Sequence, residues 1–195
     1  MTRKSKLDRK TTETQISADL KIDGSGIYQI DTPIPFLNHM LEQLTKHGLF
    51  DLKLKAFGDT HIDYHHTVED IGITLGNAFE KALGDKKQIR RYGFCTLPMD
   101  ETLTSVALDF CGRPCFVYKT PLTKGRIKDF DVELVPEFFQ GFVNAAKINL
   151  HINVHYGKNK HHMVESMFKA FAKACDMATQ IDPRIRGLLS TKGKL

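Results

Sequence analysis

The sequence predicts an α+β fold made of two similar halves that share one core. The chain has 195 residues, the length of one ordinary domain or of two small ones. The pattern His-His-x-Val-Glu occurs twice, beginning at His65 and at His161, about half a chain apart. Each copy follows a stretch of alternating apolar and polar residues that ends near a glycine, and each leads into a helical pattern. A duplicated strand-and-helix unit explains all three observations.

In the first half, residues 27–31 and 52–58 alternate in the manner of half-buried strands. A helix is predicted over residues 35–47, because one of its faces carries Phe36, Leu37, Met40, Leu41 and Leu44. A second helix follows the first His-His motif. The basic stretch at 84–88 is predicted to be an exposed loop, and the first unit is predicted to end at residue 93.

The second half, residues 94–195, repeats this order. Its predicted elements are strands at 102–110, 115–119 and 150–157, helices at 136–146 and after the second His-His motif, and a lysine-rich exposed loop at 120–129. Four cysteines are present without any Cys-x-x-Cys pair, so we expect buried free thiols in a reducing compartment.

The composition excludes several classes of protein. Hydrophobic residues make up 41% and charged residues 26%, which is typical of a globular protein rather than of a disordered or collagen-like chain. No apolar run approaches the roughly 18–20 residues of a membrane helix, and no apolar stretch follows the basic N-terminus as in a secretory signal. A cytoplasmic location is therefore expected. The net charge of +5 suits an anionic ligand without requiring nucleic acid.

The helical spacing of each motif predicts metal ligands. His65 and Glu69 are four residues apart, so both can reach one ion, whereas His66 points about 100° away from His65. His161, His162 and Glu165 repeat this arrangement. We therefore predict two metal sites, each combining the His/Glu pair of one motif with the remaining histidine of the other. Nitrogen and carboxylate ligands without thiolate suit manganese, iron or zinc.

Each half offers one further ligand. His39 points away from the apolar face of its helix, so it is not a core histidine. When the two halves are aligned on Gly58 and Gly157, His39 and Glu137 fall at nearly the same position. Three or four protein ligands per metal would leave positions for a substrate, as in a catalytic site.

These motifs resemble the imidazoleglycerol-phosphate dehydratase family over essentially the whole chain. The stretches that carry the resemblance are RKTTET at 9–14, PFLNHML at 35–41, GDTHIDYHHTVED at 58–70, RRYG at 90–93, CGRP at 111–114, NKHHMVESMFKAF at 159–171 and STKG at 190–193. The resemblance implies a tandem duplicate of a four-stranded sheet with helices on one face, similar to domain 2 of ribosomal protein S5. It also implies a homo-oligomer of 24 subunits. From the composition, no nucleic-acid or membrane partner is expected.

The reaction that the resemblance implies is the dehydration of D-erythro-imidazole-glycerol phosphate to imidazole-acetol phosphate in histidine biosynthesis. The implied cofactors are two Mn²⁺ ions per subunit. By position, one ion takes His39, His66, His161 and Glu165, and the other takes His65, Glu69, Glu137 and His162. Position 137 is often histidine in the family, and a glutamate there is an acceptable manganese ligand that adds one negative charge.

The resemblance also implies the catalytic and substrate-binding residues. Glu13 is expected to move the protons, and Glu165 is expected to take part as a second catalytic carboxylate. The phosphate is expected to meet basic and hydroxyl groups. The full set of expected substrate contacts is Glu13, His39, His65, Glu69, Arg91, Arg113, His161, Lys169, Ser190, Thr191 and Lys192.

Two other functions use some of the same features. A metal-dependent hydrolase of phosphorylated or amide substrates would need the same ligands but would turn over substrates without an imidazole ring. A basic RNA-binding module would need cations clustered with stacking aromatics, whereas the basic residues here are scattered and most aromatics lie in apolar stripes. An assay with imidazole-glycerol phosphate distinguishes the dehydratase from the hydrolase.

Overall fold

The computed structural model describes residues 3–195. In the N-terminal half, two strands form a hairpin and a β-α-β-α unit follows. These elements are β1 (Lys4–Lys10), β2 (Thr14–Lys21), β3 (Tyr28–Asp31), α1 (Pro35–Gly48), β4 (Asp51–Gly58) and α2 (His65–Leu83). The C-terminal half repeats them with one small insertion. Its elements are β5 (Tyr92–Met99), β6 (Thr102–Asp109), β7 (Cys115–Lys119), β8 (Arg126–Ile127), β9 (Phe130–Asp131), α3 (Leu134–Ala146), β10 (Asn149–Tyr156) and α4 (Lys160–Thr179).

The duplication extends to the topology of the sheets. The strand orders are β1-β2-β4-β3 and β5-β6-β10-β7, which are the same order in the two halves. In both sheets the last pair is parallel and the others are antiparallel. Alternate residues of β2, from Thr14 to Leu20, are buried, so one face of that sheet meets the core. The predicted α+β duplication, with four-stranded sheets and helices on one face, is confirmed.

Helices from different halves pack on each other between the two sheets. Helix α1 contacts α4, and α2 contacts α3, while each helix also contacts strands of its own half. A single hydrophobic cluster includes buried residues of both halves, with Phe79, Phe138, Phe142 and Phe171 among its largest side chains. The two halves therefore share one core, and residues of α1 are brought beside residues of α4.

Glycines let α2 and α3 approach closely. A Cβ atom added at Gly72 would overlap the carbonyl oxygen of Phe138, and one at Gly141 would lie 2.8 Å from the carbonyl oxygen of Glu69. These contacts are between helix backbones, which cannot move aside as a flexible side chain can. The close packing holds the turn of α2 that carries Glu69 against the helix that carries Glu137.

Replacing Gly72 by alanine is therefore expected to destabilise the protein. In an unobstructed helix the same change would stabilise by about 1 kcal/mol, whereas overpacking a filled core costs about 1–3 kcal/mol. We expect the melting temperature to fall by several degrees in a thermal unfolding experiment. Asn77→Ala, at an exposed position of the same helix, is the control and should leave the melting temperature unchanged or slightly raised, because alanine is the better helix former. A Gly72→Ala protein that melts higher than wild type would contradict the overlap.

Several elements differ from the sequence prediction. Strands β1, β2 and β5 were not predicted. In β2 the buried positions include Thr14 and Ala18, so the alternation of large apolar and polar residues is weak. In β5 the exposed Phe94 interrupts the alternation. The predicted loop at 120–129 contains β8, which pairs with β9. The predicted loop at 84–88 is exposed except at Lys86, whose side chain is buried in an ion pair with Glu80 at 2.5 Å.

The expectation of four buried thiols is corrected at one position. Cys111 and Cys175 are buried and Cys95 is half-buried, but Cys115 is exposed at the start of an edge strand. All four are free thiols. The division at residue 93 falls inside β5, which begins at Tyr92. Within residues 3–195, none of the helices has the length and apolar character needed to cross a membrane.

Candidate metal centre

Three of the predicted ligands converge where α1 packs on α4. Nε2 of His161 lies 2.8 Å from Oε2 of Glu165, and Nε2 of His39 lies 3.2 Å from the same oxygen. The pair on α4 is four residues apart and shares one helix face, while His39 comes from the other half of the chain. The helix pairing across the duplication thus assembles this group.

The arrangement fits a divalent metal. Two donor atoms bound side by side about 2.1 Å from one ion lie roughly 3 Å apart, close to the two separations found here. Within residues 3–195, this is the only group of three His, Cys, Asp or Glu residues whose ligand atoms lie within 4.8 Å of one another. Two imidazole nitrogens and one carboxylate oxygen are donors that suit manganese, iron or zinc.

Lys169 keeps the carboxylate of Glu165 charged. Its Nζ lies 2.5 Å from Oε1 of Glu165, on the side away from the two histidines. Burial raises the pKa of Glu165, but hydrogen bonds from Lys169 and His161 outweigh the burial and hold the pKa below its usual value. The carboxylate is therefore ionised at neutral pH, and Oε2 is available to a cation.

A cavity of about 490 Å³ lies beside the N-terminal motif. His65 and Glu137 both face it, together with Asp63, Asp129 and Asp131. Asp63 also accepts a hydrogen bond from the backbone N–H of His65 at 2.7 Å, which anchors the first turn of α2. His65, Glu69 and Glu137 do not converge as tightly as the group on α4, so a single chain does not complete the second predicted site.

The two remaining histidines are each held by a carboxylate that the sequence analysis did not identify. Nδ1 of His66 lies 2.9 Å from Oδ2 of Asp59, and Nδ1 of His162 lies 2.8 Å from Oε2 of Glu101. His66 and His162 are therefore not part of the group at Glu165 within one chain. A signal for Glu101 was present in the duplication, because Glu101 directly precedes β6 as Glu13 directly precedes β2.

Glu13 lies in the turn of the first hairpin. Oγ1 of Thr11 accepts hydrogen bonds from the backbone N–H groups of Glu13 and Thr14, at 3.1 and 2.9 Å. The hydroxyl of Thr14 donates to the buried carboxylate of Asp70, which also accepts from Arg9 at 2.7 Å. This network fixes the turn against α2, so the carboxylate of Glu13 is half-exposed with Oε1 3.9 Å from Nε2 of His66.

The candidate phosphate-binding residues lie elsewhere, except for Lys169. The guanidinium of Arg91 donates to both carboxylate oxygens of Asp109 at 2.6 and 2.9 Å, and Nη1 donates to the carbonyl of Leu189 at 2.7 Å. The C-terminal residue packs on Gly112, beside the exposed Arg113. Arg91, Arg113 and the tail residues Ser190, Thr191 and Lys192 thus gather at one end of the second sheet.

Comparisons with known proteins agree with the sequence motifs. A model of the family described as "Imidazoleglycerol-phosphate dehydratase" matches residues 32–175. The chain is 60% identical to the imidazoleglycerol-phosphate dehydratase of Geobacter metallireducens and 61% identical to that of Citrifermentans bemidjiense. Both alignments run over 195 residues and cover the full length of both chains.

Solved structures show the same similarity. The crystal structure of imidazoleglycerol-phosphate dehydratase from Staphylococcus aureus matches with a TM-score of 0.83 and 37% identity, covering 92% of this chain and 99% of that chain. The enzyme from Pyrococcus furiosus, solved in complex with (S)-C348, matches with a TM-score of 0.83 and 32% identity, covering 97% of this chain and 100% of that chain.

Proposed function

The chain belongs to the imidazoleglycerol-phosphate dehydratase family, and from this we propose that it is a lyase of histidine biosynthesis. The proposed reaction removes water from D-erythro-imidazole-glycerol phosphate and yields imidazole-acetol phosphate. The observation that carries the proposal is the convergence of His39, His161 and Glu165 at a helix pair that joins the two halves. A metal-dependent hydrolase would use the same ligands, but the family is described as a dehydratase, which favours dehydration.

We further propose that the reaction depends on metal, with two Mn²⁺ ions per subunit. One ion would be held by His39, His66, His161 and Glu165, and the other by His65, Glu69, Glu137 and His162. The convergent nitrogen and oxygen donors at Glu165 support the first set, and the shared cavity of His65 and Glu137 supports the second. A bound divalent ion would act as a Lewis acid toward the imidazole ring of the substrate.

The protein's own residues would position the substrate and move protons. Lys169 holds the carboxylate of Glu165 in its charged form, so that Oε2 remains directed toward His39 and His161. Oε1 of Glu13 is the proposed proton acceptor for the carbon-bound hydrogen, because this carboxylate is accessible and its turn is fixed by hydrogen bonds. The leaving hydroxyl needs a proton in return, which Glu13 can donate once it has been protonated.

A homo-oligomer is proposed because one chain separates its candidate metal ligands from all of its candidate phosphate-binding residues except Lys169. The backbone N–H of Arg91 donates to the carbonyl of Ala178, near the C-terminal end of α4. Ala178 is thirteen residues beyond Glu165 on that helix, or about 20 Å at 1.5 Å per residue. A substrate bound at both places therefore needs a second subunit, and by family resemblance the proposed assembly is a 24-mer.

Exposed apolar side chains on both four-stranded sheets support association of this kind. Phe57 on β4 and Phe94 on β5 are 58% and 67% exposed, so each presents apolar surface that a second subunit could bury. No nucleic acid or membrane enters the proposal. A cytoplasmic location is proposed as well, and the four free cysteines fit a reducing compartment.

The proposal is tested with purified protein and imidazole-glycerol phosphate. We expect formation of imidazole-acetol phosphate, complete loss of turnover after exhaustive chelation, and recovery when Mn²⁺ is added back. The reason is that removing the ion would remove the proposed Lewis acid that activates the imidazole ring of the substrate. Turnover that survives chelation would contradict the metal dependence. Release of inorganic phosphate without a dehydrated product would instead favour the hydrolase.

A further inference from the structure

The second histidine of each motif has one ring nitrogen occupied by a carboxylate from outside the motif. Oδ2 of Asp59 contacts Nδ1 of His66, and Oε2 of Glu101 contacts Nδ1 of His162. The first histidine of the C-terminal motif differs, because His161 presents Nε2 to Glu165 within the same motif. His66 and His162 are therefore each held by a carboxylate that lies outside the His-His-x-Val-Glu motif.

These contacts determine which nitrogen of each ring can bind a metal. An ionised carboxylate only accepts hydrogen bonds, so the hydrogen of a neutral ring must lie on Nδ1. The lone pair is then on Nε2, which is left free to act as a ligand. Histidines that bind metals commonly donate their other N–H to a carboxylate in this way, and losing the carboxylate typically weakens metal binding about 10–100-fold.

The carboxylates that contact His66 and His162 come from different positions in the two halves. Asp59 follows β4, which ends at Gly58, whereas Glu101 lies in the turn between β5 and β6. In the duplicated hairpin, the position of Glu101 corresponds to that of Glu13, since each directly precedes the second strand. Because Asp59 supports His66, the carboxylate of Glu13 is left accessible, 3.9 Å from Nε2 of that ring.

We propose that Asp59 and Glu101 are positioning residues that hold His66 and His162 with Nε2 directed to a metal. The duplication then accounts for the different roles of Glu101 and Glu13, which occupy equivalent positions in the two hairpins. Glu101 has become a support in the second hairpin, and its counterpart Glu13 is free for proton transfer in the first. This inference rests on the proposed metal-dependent function, which assigns both histidines as ligands.

Glu101 also accepts hydrogen bonds from the backbone, and its two carboxylate oxygens have different partners. Oε1 accepts from the backbone N–H groups of Lys158 and Asn159, at 3.0 and 2.7 Å. Within residues 3–195, the hydrogen-bond partner of Oε2 is His162 alone, at 2.8 Å. In a Glu101→Gln variant the remaining oxygen is expected to stay with the two backbone donors, so the amide NH₂ faces Nδ1 of His162. An NH₂ group donates, which forces Nδ1 to accept and moves the ring hydrogen to Nε2.

The experiment is a titration of the metal-free protein with Mn²⁺, in which free Mn²⁺ is followed by electron paramagnetic resonance. For Glu101→Gln we expect one of the two sites per subunit to bind about 10–100-fold more weakly, with the melting temperature of the metal-free protein nearly unchanged. Asp59→Ala, which removes the acceptor for His66, should weaken the other site. The Asp59→Ala variant therefore tests the same inference independently if Glu101→Gln does not fold.

Asp100→Asn is the matched control. Asp100 adjoins Glu101, carries the same charge, and lies 3.7 Å from Nε2 of His162 with a side chain that is 79% exposed. Its loss should change Mn²⁺ affinity by less than about fivefold, as expected for an exposed charge. If the folded variants at 59 and 101 bind Mn²⁺ as the wild type does, the positioning role is wrong. If the wild type itself binds no Mn²⁺, the proposed metal dependence fails instead.

Discussion

Glu165→Gln is expected to remove one metal equivalent per subunit and to lower turnover by at least about 10³-fold, the effect of losing several kcal/mol of electrostatic stabilisation. One oxygen of Glu165 faces His39 and His161, and the other faces Lys169. A glutamine must place its NH₂ group toward one of these sides. It would either block the ligand position or face the ammonium group of Lys169, and it carries no charge to attract a cation.

Metal content by elemental analysis and steady-state turnover are the measurements. Glu42→Gln is a matched control, because the substitution removes the same charge from the neighbourhood of His39. The carboxylate of Glu42 lies 3.9 Å from Nδ1 of that ring, not beside the Nε2 atom that faces Glu165. It should retain both metal equivalents. Full metal content and wild-type turnover in Glu165→Gln would exclude Glu165 as a ligand.

Glu13→Gln is expected to lower kcat by about 10²–10⁴-fold, the usual contribution of a general acid or base. The amide has nearly the same shape and keeps the turn, whose hydrogen bonds involve Thr11, Thr14 and Asp70 rather than the carboxylate of Glu13. We therefore expect metal content, melting temperature and KM to change little. The limb of the pH–rate profile that reports the base should disappear.

Kinetics over a range of pH measure this effect. Asp8→Asn changes an exposed carboxylate on β1 of the same hairpin, and its kcat should match the wild type. Should Glu13→Gln keep the wild-type kcat and pH profile, the proton would have to be moved by another group. A parallel loss of bound metal would instead show that Glu13 supports a ligand.

The sequence was sufficient for the features that depend on local spacing. Apolar alternation and helical periodicity predicted β4, β6, β10 and the four helices, because burial of one face imposes a period on the chain. The repeated motif predicted the duplication, and the spacing of His161 and Glu165 placed them on one helix face. The pairing of His39 with that motif was also predicted, but from family resemblance rather than from periodicity.

Contacts between distant parts of the chain needed the tertiary structure. Strands β1 and β2 carry small and polar residues at inward positions, so their burial depends on the helices that cover them. Asp59 and Glu101 were missed because an isolated acidic residue in a turn has no periodic signal. Their roles come from the ring nitrogens that the fold brings within 2.9 and 2.8 Å.

Sequence patterns were enough to predict the duplicated α+β unit, the helix faces that carry the histidines, and the family to which the chain belongs. The tertiary structure was needed to show that α1 packs on α4, that Arg91 is paired with Asp109, and that Arg91, a candidate phosphate-binding residue, lies about 20 Å along α4 from Glu165. The physical reason is that periodicity records which face of an element is buried. It does not record which partner buries that face.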